Sequence, residues 1–249
     1  IGVGVLFIRR QLRLEEPLLD LRLFRVPAFS VSIAVNLVSL GLLIGFLFFA
    51  TQLLQLVFGL SPLLACLVLV PGQALGIAAG MSVVSLARRV APNRLIALCL
   101  LLAAAAFAVM ALVPASVASL GVAFVLINVA VAAITSVSND LVLCTVPPER
   151  AGSAASVSET AYEVGVVLGT TLIGGAVAAL YRLALSLPDG LSEATRRAAE
   201  TLGGAHAAGE SLHAADAAFC LAVSQASALV AVMVVLFAWQ VLRGLRGVN

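Results

Sequence analysis

The chain has 249 residues, of which 62% are apolar and 10% charged, against about 45–50% and about 25% in a soluble domain. That balance excludes a soluble globule, a coiled coil and a disordered tail, and it places the chain in a lipid bilayer. The net charge of +2, from 14 arginines, no lysine and 12 acids, lacks the basic stripe that DNA or RNA requires, so no nucleic-acid partner is expected.

In chain order, the first feature is an apolar stretch, Ile1 to Ile8, running into Arg9-Arg10. A signal peptide carries its charges before its apolar stretch. These residues therefore read as the tail of a helix that begins upstream, and the chain is expected to be a piece of a longer protein. Residues 1–28 are expected to hold that tail and a cytoplasmic linker. Six apolar runs long enough to span follow, at 29–51, 62–87, 95–113, 117–143, 156–181 and 219–242, since a spanning helix takes about 20 such residues. Breakers separate them at Gly59 with Pro62, Pro92, Pro114, Pro147-Pro148 and Pro188-Asp189-Gly190. Backbone groups cannot stay unpaired in lipid and the runs are twice the length of a barrel strand, so each must be a helix. The expected fold is an all-α integral membrane bundle of six transmembrane helices over 29–246, preceded by the tail of a further helix.

Counting arginines on alternate sides of these spans places eleven on one side (Arg9, Arg10, Arg13, Arg22, Arg25, Arg88, Arg89, Arg94, Arg150, Arg243, Arg246) and three on the other (Arg182, Arg196, Arg197). Positive charge accumulates in the cytoplasm, so both chain ends are expected there, in a multi-pass protein of the cell membrane. The long outer loop, 182–216, has a surface helix predicted from Ser192 to Leu202. Its His206 and His213 are spaced too far apart for a helical metal pair and read as exposed loop histidines. Cys66, Cys99, Cys144 and Cys220 are scattered through apolar runs and read as small hydrophobes. No metal, disulfide framework or cofactor is expected.

Ionisable groups inside a span are costly and must be explained. The candidates are Asp140, Glu159 and Glu163. Glu159 and Glu163, four apart, share a helix face about 6 Å from each other, and Thr170 continues that face. In a partly dry site, like charges that close disfavour each other's ionisation, the setting in which a carboxyl exchanges a proton during a cycle. Two placements stand. Counting back about 20 residues from Tyr181 puts the hydrocarbon boundary near Tyr162, where Glu159 would be cytoplasmic and Glu163 would snorkel. Alternatively, the pair faces a wet cavity. The remaining faces favour the cavity: Gly165 and Gly169, with Ser158, suit a close helix neighbour, and Val157, Val164 and Leu168 suit lipid. Asp140, near the cytoplasmic end of its helix, wants a cation, Arg150 or Arg88-Arg89; a structural ion pair and a transport role both fit it.

Asn128, Thr135 and Asn139 form one polar stripe, and Ser32, Asn36 and Ser39 another; interhelical hydrogen bonds are the first reading and cavity lining the second. Gly72, Gly76 and Gly80, after Pro71, form a packing ridge. A phosphate loop would need a strand before it, and none is available.

On these residues the chain resembles the C-terminal half of a major facilitator superfamily transporter, of the fourteen-span drug:proton antiporter type (EmrB/QacA). The likeness covers 17–246. It is most specific from Asp140 through Pro147-Pro148-Glu149-Arg150 to Ser158-Glu159-Thr160-Ala161-Tyr162-Glu163-Val164-Gly165 and on to Gly169 and Gly174-Gly175. The resemblance implies proton coupling and cationic-drug binding at Glu159 and Glu163, alternating access, and a missing N-terminal half as partner. A small lipophilic or cationic substrate, exchanged against protons, is what it implies as cargo. The loop after the second span lacks the acid usual in the superfamily's signature. Two rivals stand beside this reading: a facilitator-type transporter of another metabolite or anion, and a membrane enzyme or assembly protein.

Overall fold

The computed structural model describes residues 21–87, 89–186, 193–208 and 212–244. The expected helix tail at 1–8 lies outside them, as do Arg9, Arg10, Arg13, Arg88 and Arg246 of the arginine count. Every described element is helical. A 3-10 turn at Leu21–Arg25 leads into α1 (Pro27–Gln52), followed by α2 (Pro62–Ala87), α3 (Pro92–Leu112), α4 (Val117–Cys144), α5 (Ala151–Gly169), α6 (Gly175–Ala184), the short α7 (Glu193–Ala198) and α8 (Leu202–Ala208), and α9 (Leu212–Gly244). A π turn at Leu53–Val57 extends α1, and another at Thr170–Gly174 joins α5 to α6. Six continuous runs, Pro27–Val57, Pro62–Ala87, Pro92–Leu112, Val117–Cys144, Pro148–Ala184 and His213–Gly244, are long and apolar enough to cross a bilayer. The chain is an all-α, multi-pass membrane protein built on six long helices.

Local chemistry explains where these helices begin. Pro27 and Pro92 open α1 and α3 at the position where a missing N–H costs nothing. Ser116 caps α4 by a reciprocal exchange with Ser119. Gly59, at φ +64°, makes the reversal after α1, a backbone state that L side chains rarely adopt.

The centre of the bundle is α4, which packs against α1, α2 and α3. In turn α3 meets α9, α9 meets α6, and α5 lies along α1. The buried middle holds Phe46, Phe49, Phe107 and Phe124, with ring centroids 4.9 to 6.5 Å apart. The outside is apolar too. Leu63 is 71% exposed and Met81 75%, since lipid tails solvate such side chains as well as a protein core does. One end of the bundle carries Arg25, Arg89, Arg94, Arg150 and Arg243; the other carries the described part of the 182–216 hairpin, with α7 and α8.

That hairpin is docked. Tyr181, 2% exposed, donates its hydroxyl to the Ala199 carbonyl at 2.9 Å, and the Arg182 side chain reaches the Glu200 carbonyl. His206 sits 2.9 Å from Asp216, while Leu202 and Ala205 join the main core. In place of one surface helix from Ser192 to Leu202, α7 stops at Ala198 and α8 begins at Leu202, because the turn between them brings Ala199 under Tyr181.

With no water to expel between helices in lipid, close approach comes from small residues. Gly165 and Gly169 of α5 lie directly on the α1 backbone at Leu37 and Gly41: a methyl at either would collide with a carbonyl oxygen. On α2, a methyl at Gly72 would strike the Phe124 ring at 2.5 Å and one at Gly76 would meet Asn128 at 3.3 Å, whereas Gly80 has ordinary room at 3.5 Å.

Gly169→Ala is therefore expected to force α1 and α5 apart and lower stability by about 1–3 kcal/mol, the usual cost of overpacking. Gly175→Ala, with nothing within 4 Å of the added methyl, should be neutral or slightly stabilising. Thermal denaturation of both variants in detergent micelles checks the contrast; equal melting would refute the backbone contact.

Candidate functional site

The buried face of α5 carries Ala154, Val157, Ser158, Ala161, Gly165 and Gly169. Val157, expected to face lipid, is instead packed with Phe29, Ile33 and Val142. It falls on the same side as Ala154 and Ala161, which the glycine contact turns toward α1. Val164 and Leu168 are exposed, and so are Glu159 and Glu163. The two carboxylates thus lie one turn apart on the open side of α5, away from the glycine seam.

At the edge between this open side and the buried face stands Tyr162, half-buried, which is not among the site residues expected from the sequence. Its hydroxyl donates to Asn139 Oδ1 of α4 at 3.0 Å. The same oxygen accepts Asn36 Nδ2 of α1 at 3.2 Å. Asn139 is thus a double acceptor that ties three helices together. Helical spacing did contain a signal: one of only two tyrosines in the chain, three residues after an acid inside a span, has a hydroxyl that needs a partner.

Around this node lies a dry polar seam. Ser32, Ser39, Ser138 and Ser158 have buried hydroxyls without a partner, and so does the Asn36 side-chain oxygen. The node sits nearer the arginine-rich end than the middle. Asn139 is five residues from the end of α4 and Asn36 nine from the start of α1, or about 8 and 14 Å at a rise of about 1.5 Å per residue.

The remaining candidates are scattered. Asn128 is buried under α2 at Gly76 and bonds its own helix at the Phe124 carbonyl. Thr135 returns to the Ala132 carbonyl and Thr170 to the Val166 carbonyl. Asp140 is exposed and lines a cavity of about 350 Å³ with Val84, Ala87, Pro92, Val137 and Cys144; among the described residues it has no ion-pair partner. A second cavity, about 280 Å³, lies between α1, α5 and α9 and is walled by Leu37, Gly41, Gly169 and Phe237, on the glycine side and away from the carboxylates. His206 is paired with Asp216 and His213 is exposed. Among the described residues no three metal-binding side chains come together, and the four cysteines are free thiols.

Residues 6–170 match the Major Facilitator Superfamily. The chain belongs to that superfamily. Among facilitator relatives it is 42% identical over 246 residues to the multidrug efflux pump LfrA of Mycolicibacterium smegmatis, a match covering 94% of this chain and 49% of the relative. It is 32% identical over 173 residues to the uncharacterized transporter YebQ of Escherichia coli, covering 69% and 38%. It is 30% identical over 191 residues to the tetracenomycin C resistance and export protein of Streptomyces glaucescens, covering 76% and 35%. The chain spans about half the length, or less, of these relatives.

Asn139→Ala should remove both interhelical bonds at once. At about 0.6 kcal/mol for each such bond in a membrane, the expected loss is about 1 kcal/mol. Thr170→Val, which breaks only a bond within one helix, should change stability by less than about 0.5 kcal/mol. Unfolding titrations in mixed micelles separate the two, and an Asn139 variant as stable as the Thr170 variant would show the node to be energetically idle.

Proposed function

We propose that this chain is the C-terminal six-helix bundle, spanning 29–246, of a proton-driven exporter of the fourteen-span EmrB/QacA type, a secondary active transporter rather than an enzyme. It works by alternating access against an N-terminal bundle. The observation that carries the reading is the placement of Glu159 and Glu163. They lie one turn apart on the exposed side of α5, whose opposite side is closed by backbone contact with α1. On that exposed side the carboxylates are available to a crevice shared with the missing half, where protons and cargo compete for them.

The chemistry of the site sets the cargo class. An acidic group in an otherwise apolar crevice favours lipophilic cations, because desolvation strengthens attraction to a carboxylate. The names of the similar proteins, a multidrug efflux pump and a tetracenomycin C resistance and export protein, support export of this kind. Asp140, lining its own cavity on α4, is a third acid on the route. Asn36, Asn128, Thr135, Asn139 and Thr170 are assigned to the polar wall. The arginine-rich end is placed in the cytoplasm, which puts both ends of the chain there and the hairpin outside.

In the full-length transporter, Glu163→Gln and Glu159→Gln should each abolish proton-driven efflux of tetraphenylphosphonium while leaving the protein in the membrane at normal levels. Efflux by loaded cells, followed with and without a protonophore, is the measurement. Undiminished efflux in both variants would remove the acids from the coupling.

A further inference from the structure

The two acids are not equivalent in their surroundings. In an α-helix successive residues turn by about 100°. Setting Gly165 at the α1 contact puts Ser158 about 20° away, Tyr162 about 60°, Glu159 about 120° and Glu163 about 160° to the same side. Tyr162 stands at the border between the buried face and the open one, with Glu159 next beyond it and Glu163 farther round. Glu159 is three residues before Tyr162, a spacing at which side chains on a helix are neighbours, and a helical side chain leans toward the N-terminus, whereas Glu163, next in sequence, faces away. The Tyr162 hydroxyl is the donor that joins α5 to α4 through Asn139 Oδ1, which in turn joins α4 to α1 through Asn36.

We infer that Tyr162 is a positioning residue through which the helix packing reads the charge of Glu159, and not that of Glu163. The inference rests on the acids being the groups that exchange protons. A tyrosine hydroxyl has one hydrogen to give. A carboxylate accepts it roughly twice as strongly as a neutral amide oxygen does, so ionised Glu159 competes with Asn139 for that hydrogen. When a proton from the aqueous side neutralises Glu159, the competition ends and the Tyr162 to Asn139 bond, as seen here, holds α5 on α4. Among the described residues, the other groups around the node do not offer this choice. Helix α1 carries no titratable side chain and presents Ser32, Asn36 and Ser39. Helix α4 contributes Asp140 and Cys144, both exposed and lining their own cavity. Glu149 and Arg150 lie at the entrance to α5, three helical turns from Tyr162.

The orphan atoms give the switch its consequence. Asn36 Oδ1 and the hydroxyls of Ser32, Ser138 and Ser158 are buried without partners. Loosening the node opens this seam to water and satisfies them, whereas closing it seals them away. The state of the node therefore decides whether these atoms meet water.

Amide hydrogen exchange on the full-length transporter in lipid nanodiscs tests this, with labelling times corrected for intrinsic pH dependence. In wild type, protection of the α4 and α5 segments around Asn139 and Tyr162 should rise on acidification. Glu159→Gln should hold the acid level of protection at every pH, and Glu163→Gln should keep the wild-type titration. Tyr162→Phe and Asn139→Ala should each hold the low level, and the double variant should be no lower than either single one. A wild-type titration that survives in Tyr162→Phe, or that is lost in Glu163→Gln but not in Glu159→Gln, overturns the inference while leaving proton coupling intact. So does a flat wild-type profile in a transporter whose efflux still needs both acids. A flat profile together with undiminished efflux in both glutamine variants overturns the parent reading instead.

Discussion

The structure depends on one contact: the backbone of α5 at Gly165 and Gly169 laid on the backbone of α1 at Leu37 and Gly41. Side chains have been removed from both surfaces, so the two helices have a single rotational setting in which they can approach this closely. Rotating α5 by one residue would drive Val164 or Val166 into α1 and separate the axes. Once that setting is fixed, the angular position of everything else on α5 follows. Ala154, Ala161 and Ser158 go inward, Tyr162 lands on the edge beside α4, and Glu159 and Glu163 face outward. The acids are thus positioned by the absence of side chains on the far side of their helix.

A second constraint is the solvent. In water, exposed Leu63, Ile77, Met81 and Met233 would drive association; in lipid they are at rest, and burial supplies little force between helices. Specificity then comes from shape and from polar atoms. The shape term is visible at Gly72 against Phe124 as well as at Gly169 against Gly41. The polar term is concentrated where α1, α4 and α5 meet. That the seam leaves several buried hydroxyls unpaired is costly for a static structure and reasonable for one that opens. The pairing of Asn36 with Asn139 accounts for two residues of the polar stripes, while Thr135 and Thr170 spend their hydroxyls on their own helices and add nothing between helices.

Much of this was legible in the sequence, for physical reasons that can be named. Hydropathy and proline punctuation mark six crossing helices because backbone groups in lipid have no alternative to a helix. Gly165 and Gly169 at a spacing of four, with Ser158 on the same side, mark a close neighbour because small residues let two backbones approach. What periodicity cannot supply is the identity of the neighbour, since it gives angles about one axis and no distances to another. Val157 was therefore assigned to lipid, although its angle also fits the flank of the α1 contact, where the structure puts it. The sense of its helix dipole suits Asp140 to a cation, Arg150 or Arg88-Arg89; Arg88 lies outside the described residues, and among the described ones Asp140 lines a cavity without an ion-pair partner. Tyr162 carries only a weak signal in the sequence, a hydroxyl three residues after an acid inside a span, which names no partner. Only the three-way meeting with Asn139 and Asn36, more than a hundred residues apart in the chain, gives it a role.

The two halves of the fifth crossing run serve different neighbours. Its first half, α5, lies on α1, whereas its second, α6, lies on α9, and a π turn at Thr170–Gly174 separates them. A π turn inserts a residue into the helical ladder and resets the faces beyond it, so the acids do not share a rigid face with the segment that carries Tyr181. Tyr181 is pinned to the hairpin through Ala199, and the hairpin is pinned to α9 through His206 and Asp216. The outer part of the run is therefore anchored at its far end, and the inner part is held by the glycine seam and the Asn139 node. Of these restraints, the Asn139 node is the one whose neighbouring acid, Glu159, lies on α5 itself; the acid of the outer restraint, Asp216, belongs to α9. The proposed link between charge and packing therefore needs only the node and leaves the capped end of the bundle in place.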